Sequence, residues 1–167
     1  MVIIALSGYA GCGKDTAYQL IKDRYNARRF AFADALKKIA RYLTWDGNKD
    51  ENGRRFLQNL GNIAREYNKN VWADLVVNDI EIWSNDISLA VITDFRFPNE
   101  VNVLKKRFSN VYTIRILGRA YDLGVNSRDI SEHSLDNYKF DYYIDNSGTL
   151  DEFKNNLISI ITGELGL

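Results

Sequence analysis

The chain of 167 residues is poor in cysteine, histidine and net charge, and each shortage excludes a class of protein. One cysteine cannot form an internal disulfide, which fits a reducing compartment. The 22 basic and 22 acidic side chains cancel, which argues against a nucleic-acid polymer as a partner across the whole surface. No apolar run approaches the ~20 residues of a membrane helix. The N-terminus also lacks a signal-peptide pattern, so we expect no membrane association.

The rest of the composition is that of an ordinary globular protein. Hydrophobic residues make up 46% of the chain, enough to build a core. The length suits one domain, and the sequence contains neither an internal repeat nor a low-complexity segment. We therefore predict a single domain over residues 1–167.

A phosphate-binding motif lies near the N-terminus. Gly8, Gly13 and Lys14 fit the pattern G-x-x-x-x-G-K, between an apolar run at residues 2–6 and a helical pattern at residues 16–25. Glycines allow several backbone N–H groups to point at one anion, and the following helix adds the positive end of its dipole. The motif predicts nucleotide binding, with Lys14 reaching the outer phosphates.

The motif departs from the usual pattern at one position. Asp15 stands where a Ser or Thr usually offers its hydroxyl to Mg²⁺, and Thr16 follows one residue later. Either side chain, or both, would supply an oxygen ligand to the metal, directly or through water. The sequence leaves these alternatives open.

Short apolar runs alternate with helical patterns along the whole chain. Strands are predicted at residues 2–6, 29–33, 89–93, 111–117 and 140–144. Helices are predicted at residues 16–25, 34–43, 54–67, 72–83, 98–108 and 149–162. This alternation predicts an α/β fold of the P-loop NTPase type, with a five-stranded parallel sheet flanked by helices.

Polar residues follow the predicted strands, at the edge of the sheet where such folds bind nucleotides. They are the loop at 8–16, Asp34, Asp94, Gly118-Arg119 and residues 146–149. The helical segment at about 34–85 lies between the second and third strands, where we expect an acceptor-binding insert. The polar segment at about 118–136 is expected to form a lid.

Several further phrases resemble the deoxynucleoside monophosphate kinases of bacteriophages. They are GKDT at 13–16, FADALK at 32–37, LQNLG at 57–61, TDFRFPNEV at 93–101, SEHSLD at 131–136 and FDYYIDNSGTL at 140–150. They occur in the family's order over nearly the whole chain. The sequence departs from the family at Asn62-Ile63, where members often have Thr-Glu, which leaves the preferred base open.

The resemblance implies an enzyme that transfers the γ-phosphoryl of ATP to a deoxynucleoside monophosphate, with Mg²⁺ as cofactor. Its compartment would be the cytoplasm of an infected cell, and a homodimer is one expected state. The attacking atom is an acceptor phosphate oxygen, whose second pKa of about 6 makes a protein base unnecessary. Charge neutralisation and in-line positioning then carry the reaction, which fits a chain with one histidine.

Four residues are predicted to act on the transferred phosphoryl group. Lys14 contacts the phosphates, and Arg96 clamps the acceptor phosphate through its planar fork. Asp94 holds the metal through water or orients the acceptor, with a helix or turn cap as its alternative role. Arg128 in the lid acts as an arginine finger.

The remaining predicted residues bind one of the two substrates. ATP contacts are assigned to Gly8, Gly11, Cys12, Gly13, Lys14, Asp15, Thr16, Arg119, Asn146 and Gly148. Acceptor contacts are assigned to Asp34, Lys37, Arg41, Gln58, Arg65, Trp72, Asp94, Arg96 and Glu132. Asp34 has the alternative role of a helix N-cap, and core packing is the favoured role of Trp83.

Two other kinds of function fit the phosphate loop. A dephospho-coenzyme A or phosphomevalonate kinase would share the loop and the layout but use another acceptor. An ATP-dependent binding module would hydrolyse ATP slowly and transfer its phosphoryl group to no acceptor. The arginines near the predicted strand ends favour a kinase, because a switch protein needs only one phosphate site.

Overall fold

The computed structural model describes residues 1–118 and 133–166. Within these ranges the strands are β1 (Val2–Ser7), β2 (Ala27–Phe30), β3 (Leu89–Ile92), β4 (Val111–Leu117) and β5 (Tyr142–Asp145). The helices are α1 (Lys14–Lys22), α2 (Phe32–Tyr42), α3 (Glu51–Tyr67), α4 (Val71–Trp83), α5 (Pro98–Arg107) and α6 (Leu150–Ser159). A π-helical turn over Ile160–Glu164 follows α6.

The five strands form one parallel sheet in the order β2-β3-β1-β4-β5. All six residues of β1, the central strand, are buried, because helices cover both faces of the sheet. The predicted α/β fold with a five-stranded parallel sheet is thereby confirmed. Its carboxyl edge brings the ends of β1 and β3 together with the loops that follow them.

Alternate residues of β1 enter two separate cores, as the two-residue period of a strand requires. Ile3 and Ala5 belong to the core formed with α2, α4 and α5. Val2, Ile4 and Leu6 belong to the core formed with α1 and α6. The phosphate loop, which follows β1 directly, therefore extends from a strand that is buried between both cores.

The start of α2 differs from the prediction. The strand β2 ends at Phe30 and α2 begins at Phe32, so Asp34 lies in the first helical turn and is not its N-cap. The cap comes instead from Asp94, whose two carboxylate oxygens accept hydrogen bonds from the backbone N–H groups of Phe32 and Ala33, each 2.9 Å long. This contact joins residues 61 positions apart, so the local pattern did not predict it.

The ends of the other elements lie close to their predicted positions. Pro98 is the first residue of α5, and Thr149 and Glu152 form the predicted capping box of α6. The prediction that Trp83 packs in the core is wrong, because its side chain is exposed and the Arg28 guanidinium stacks 3.5 Å from its ring centroid. No helix that the structure describes is long and apolar enough to cross a membrane.

Candidate active site

The phosphate loop requires glycine at two positions because other groups occupy the space of a side chain. Gly8 has φ +148°, and a Cβ there would lie 2.4 Å from the Sγ of Cys12. Gly13 has φ +108°, and a Cβ there would lie 2.5 Å from the Nδ2 of Asn146. Both backbone conformations are rare for residues with a side chain. The loop is thus packed closely against its own cysteine and against the end of β5.

Lys14 is the first residue of α1, and its ammonium folds back over the loop. Nζ donates hydrogen bonds to the carbonyl oxygens of Gly8 at 2.7 Å and Tyr9 at 3.0 Å. It also lies 3.6 Å from the Sγ of Cys12. The lysine charge therefore lies beside the positively polarised N-terminus of α1, which is the arrangement that binds phosphate.

Cys12 and Asn146 form the floor of the loop. Cys12 is only 1% exposed, and its backbone N–H donates to the carbonyl oxygen of Tyr9 at 3.2 Å, so the residue predicted to contact ATP instead packs within the loop. Its carbonyl oxygen accepts a 2.8 Å hydrogen bond from the buried side-chain amide of Asn146. Asn146, predicted to contact adenine, thus uses its amide nitrogen to hold the loop. Gly148, the other adenine candidate in this segment, is exposed just before α6.

Asp94 follows β3, and its carboxylate serves two parts of the structure. It caps α2 through both oxygens, and it also lines a small pocket together with Lys14. Each carboxylate oxygen has two lone pairs, so each one that caps the helix can accept a second contact. Burial raises the pKa of the Asp94 carboxyl, while the N–H groups of Ala33 and Phe32 and the charge of Arg96 oppose that rise.

The small pocket lies between the phosphate loop and the ends of β3 and β4. Its lining residues are Ser7, Gly8, Lys14, Asp94, Phe95, Arg96, Arg115 and Leu135. Three residues predicted to act on the phosphoryl group, Lys14, Asp94 and Arg96, therefore line the same space. Sequence reasoning missed Ser7 and Arg115. The signal for Arg115 was available, because it is a charged residue within the apolar run of β4.

Glu100 is a third residue that sequence reasoning missed. Its carboxyl is only 4% exposed, and its Oε2 accepts hydrogen bonds from the backbone N–H groups of Arg96 at 2.9 Å and Phe97 at 3.0 Å. Burial raises the pKa of Glu100 to about 8, with a further rise from Asp94 and an opposing effect of Arg65. Glu100 therefore fixes the backbone that carries Arg96.

Arg65, on α3 of the acceptor insert, reaches the loop after β3 that carries Arg96 and Phe97. Its guanidinium lies 4.5 Å from the ring centroid of Phe97. The structure thus brings one predicted acceptor residue of α3 next to the loop that carries another, Arg96. Gln58, on the same helix, is exposed and does not line the pocket.

Three other predicted acceptor residues, Asp34, Lys37 and Arg41, lie on α2. Lys37 and Arg41 line an open groove of about 730 Å³, together with Asp34, Lys38 and Tyr42. The Asp34 carboxylate forms two ion pairs. Its Oδ2 lies 2.8 Å from Nη1 of Arg29, and its Oδ1 lies 3.6 Å from Nζ of Lys37. The groove shares no lining residue with the pocket at Lys14.

The assignment of Trp72 to the acceptor is wrong. Its side chain is 3% exposed and belongs to the core, and its ring N–H donates to the carbonyl oxygen of Gly61 at 3.3 Å. The ring joins α3 to α4, so it cannot stack on a ligand. Three other predicted residues, Arg119, Arg128 and Glu132, lie outside the described residues, as does most of the expected lid.

The candidate metal ligands lie around the phosphate loop. Asp15 and Thr16 are exposed in the first turn of α1, and Asp94 lines the adjoining pocket. Among residues 1–118 and 133–166, no three His, Cys, Asp or Glu side chains form a metal-binding group. These residues still fit Mg²⁺, which takes one or two protein oxygens and completes its shell with phosphates and water.

The strand order, the phosphate loop and the comparisons agree on the class of fold. The tunicamycin resistance protein of Deinococcus radiodurans superimposes with a TM-score of 0.60, at 16% identity over 99% of this chain and 96% of that one. Shikimate kinase from Aquifex aeolicus superimposes with a TM-score of 0.54, at 13% identity over 99% and 100%. The chain therefore has the fold of the P-loop kinases.

A comparison of sequences gives a more specific match than the comparison of folds. A protein of Acanthamoeba polyphaga mimivirus called "Putative deoxynucleotide monophosphate kinase" is 28% identical to this chain, and the match covers 96% of each. The similarity is thus to a viral protein, but not to one from a bacteriophage. No family model matches the chain.

Proposed function

We propose that this protein is a deoxynucleoside monophosphate kinase, which converts ATP and a deoxynucleoside monophosphate into ADP and a deoxynucleoside diphosphate. The observation that carries this proposal is the pocket that Lys14, Asp94 and Arg96 line together. The name of the mimivirus relative supports the choice of acceptor. So do the phrases along the chain that resemble those of the bacteriophage enzymes.

The residues act by neutralising charge during the transfer. An oxygen of the acceptor phosphate forms a bond to the γ-phosphorus of ATP, and the bond from that phosphorus to the bridging oxygen of ADP breaks. Lys14 is assigned to the outer phosphates of ATP, and Arg96, which lines the same pocket, is assigned to the acceptor phosphate. Arg128 is assigned to the transferred group. Arg119, Asn146 and Gly148 are assigned to the nucleotide of ATP.

Magnesium would neutralise part of the charge that develops on the phosphates during the transfer. Asp15, Thr16 and Asp94 are the residues that would hold it. The phosphates and water would complete its oxygen shell, because Mg²⁺ retains several of its waters.

The acceptor is assigned to the insert that α2, α3 and α4 form. Lys37 and Arg41 give the groove on α2 a positive charge, and Arg65 brings a third positive charge to the loop of Arg96. A nucleoside monophosphate is an anion with a flat base, and this insert offers cations together with exposed polar side chains such as Gln58. Glu132 is also assigned to the acceptor.

The test is ADP formation by the purified protein with ATP, Mg²⁺ and each deoxynucleoside monophosphate in turn. We expect ADP formation that depends on at least one of them and that Lys14→Ala abolishes. Lys22→Ala, at the exposed end of the same helix, is the matched control and should retain activity.

The same assay with other acceptors identifies the rival functions. ADP formed only with dephospho-coenzyme A or phosphomevalonate would replace the proposal with one of those kinases. Slow ADP release that is indifferent to every acceptor would replace it with the ATP-dependent binding module.

A further inference from the structure

Arg115 is a buried cation in the middle of the sheet. It lies on β4 beside Ser7, the last residue of β1, and its side chain is enclosed, leaving the residue 9% exposed. Its Nη1 donates a 3.0 Å hydrogen bond to the Oγ of Ser7. Burying a guanidinium costs free energy unless partners compensate for the lost water. A buried arginine at this point of a strand therefore has a specific role.

Aromatic rings and one carboxylate supply that compensation. The Arg115 guanidinium lies 5.0 Å from the ring centroid of Tyr9 and 5.6 Å from that of Phe140. Its Nη2 lies 3.7 Å from the Oδ1 of Asp136. Cation–π contact and the opposite charge together hold the guanidinium in one place.

Asp136 also connects Arg115 to the phosphate loop. The hydroxyl of Tyr9, a loop residue, donates to the Oδ1 of Asp136 at 3.2 Å. The Nδ1 of His133 lies 3.0 Å from the other carboxylate oxygen. One carboxylate thus joins the phosphate loop, β4 and the segment at residues 133–136.

The charges that line the pocket indicate what kind of ligand Arg115 can bind. Lys14, Arg96 and Arg115 line the same space, and Asp94 is the one carboxylate among its lining residues. When Asp136, which pairs with Arg115, is counted as well, three positive charges against two negative charges leave this region net positive and attractive to an anion. A pair that served only stability would be replaceable by apolar residues, and it would not need to face the residues that we assign to the phosphates.

We propose, on the basis of the proposed kinase function, that Arg115 is a further catalytic residue that binds the transferred phosphoryl group. Asp136 is a positioning residue, which acts by holding Arg115 and Tyr9 at the pocket. The fork of the guanidinium presents two parallel N–H groups to two phosphoryl oxygens, which an ammonium cannot do.

The test compares steady-state kinetics and ATP affinity of four single variants and of the double variant Arg115→Met with Asp136→Asn. Arg115→Met removes the charge and keeps the length, and Arg115→Lys keeps the charge without the fork. Asp136→Asn keeps the shape of the positioning residue. Arg28→Met is the matched control, because Arg28 is a strand arginine that stacks on the exposed Trp83.

We expect Arg115→Met to lower kcat by about 100-fold, as the loss of one preorganised charge contact does. The Kd for ATP should change less than about threefold, and Arg28→Met should match the wild type. Asp136→Asn should lower kcat by about tenfold in the wild-type background. It should lower kcat no further in the Arg115→Met background, because a residue that acts through Arg115 has nothing left to position.

Two results would overturn the assignment of Arg115. One is a folded Arg115→Met variant whose kcat equals that of the wild type. The other is an equal effect of Asp136→Asn with and without Arg115. If Arg115→Met does not fold, Arg115→Lys and Asp136→Asn decide, and wild-type kcat in both refutes the assignment. A wild type that transfers phosphoryl to no acceptor refutes the proposed function itself.

Discussion

The side-chain amide of Asn146 donates a 2.8 Å hydrogen bond to the carbonyl oxygen of Cys12, across 134 residues of sequence. This bond joins the end of the edge strand β5 to the phosphate loop that follows the central strand. The conformation of the loop therefore depends on the docking of the C-terminal part of the chain and not only on its own glycines.

Removing this bond should weaken both the fold and the loop. Asn146→Ala leaves the buried carbonyl of Cys12 without that donor, which costs about 1–3 kcal/mol. We expect a corresponding fall in the free energy of unfolding, measured by urea titration, and a weaker Kd for ATP. Asn155→Ala, an exposed substitution on α6, is the control. Wild-type ATP affinity in Asn146→Ala would show that the loop keeps its shape without β5.

Gly13→Ala should disrupt the same hydrogen bond between Asn146 and Cys12, because it adds a methyl group beside the Asn146 amide. The new Cβ would lie 2.5 Å from the Nδ2 of Asn146, at a φ of +108° that alanine rarely adopts. We expect a loss of about 1–3 kcal/mol in stability and no measurable ATP binding by calorimetry.

A double variant separates the two causes of that loss. Gly13→Ala combined with Asn146→Ala removes the clash but keeps the backbone strain, so we expect a partial recovery of stability relative to Gly13→Ala. The control is Gly163→Ala, where a Cβ would meet no atom within 4 Å. Equal stability of Gly13→Ala and the double variant would mean that strain alone is responsible.

The buried carboxyl of Glu100 predicts a stability that falls as the pH rises. Burial raises its pKa from 4.5 to about 8, so between these values the folded chain holds a proton that the unfolded chain has lost. Stability from this group is complete below the unfolded pKa and declines as the pH rises towards the folded pKa. Glu100→Gln stays neutral and can still accept both backbone hydrogen bonds.

We therefore expect the free energy of unfolding of Glu100→Gln to change less than that of the wild type between about pH 5 and pH 8. Urea titrations at several pH values measure this difference. The control is Glu152→Gln, because hydrogen bonds from Thr149 lower the pKa of Glu152 and place its titration below this window. Parallel pH profiles for the wild type and Glu100→Gln would contradict the prediction.

Asp94 should affect stability and turnover separately. Asp94→Ala removes the acceptor for the N–H groups of Phe32 and Ala33, and the loss of a helix cap costs about 1 kcal/mol. If Asp94 also serves the metal or the acceptor, kcat should fall by at least about 100-fold. Asp50→Ala is the matched control, because Asp50 caps α3 through Gly53 but does not line the pocket. Equal kcat in the two variants would reduce Asp94 to a structural cap.

Much of the fold could be predicted because its signals are local. The phosphate loop is a run of consecutive residues, and β4 and the capping box of α6 are also encoded over a few positions. The Lys14, Asp94 and Arg96 cluster was predictable for a related reason, since parallel strands bring their carboxyl ends to one edge.

Most of the misses depend on contacts between residues that are distant in sequence. The helix α2 begins at Phe32, two residues before Asp34, because Asp94 accepts hydrogen bonds from its first N–H groups. The helical period of the sequence cannot reveal a cap that comes from the end of another strand. Trp72 lies on α4, and it is buried because α4 packs into the core that the sheet shares with the neighbouring helices. No role was predicted for Arg115 or Glu100. Arg115 donates to Ser7, 108 positions away, whereas Glu100 accepts hydrogen bonds from the backbone N–H groups of Arg96 and Phe97, which are its near neighbours in sequence.

The most direct test of the proposed function follows the phosphoryl group itself. The protein is incubated with Mg²⁺, a deoxynucleoside monophosphate and ATP that carries a radioactive γ-phosphorus, and the nucleotides are separated by chromatography. We predict that the label appears in the deoxynucleoside diphosphate, in an amount equal to the ADP formed, and that Lys14→Ala abolishes it. Label found only as inorganic phosphate, at the same rate with and without the acceptor, would contradict the assignment of this protein as a nucleotide kinase.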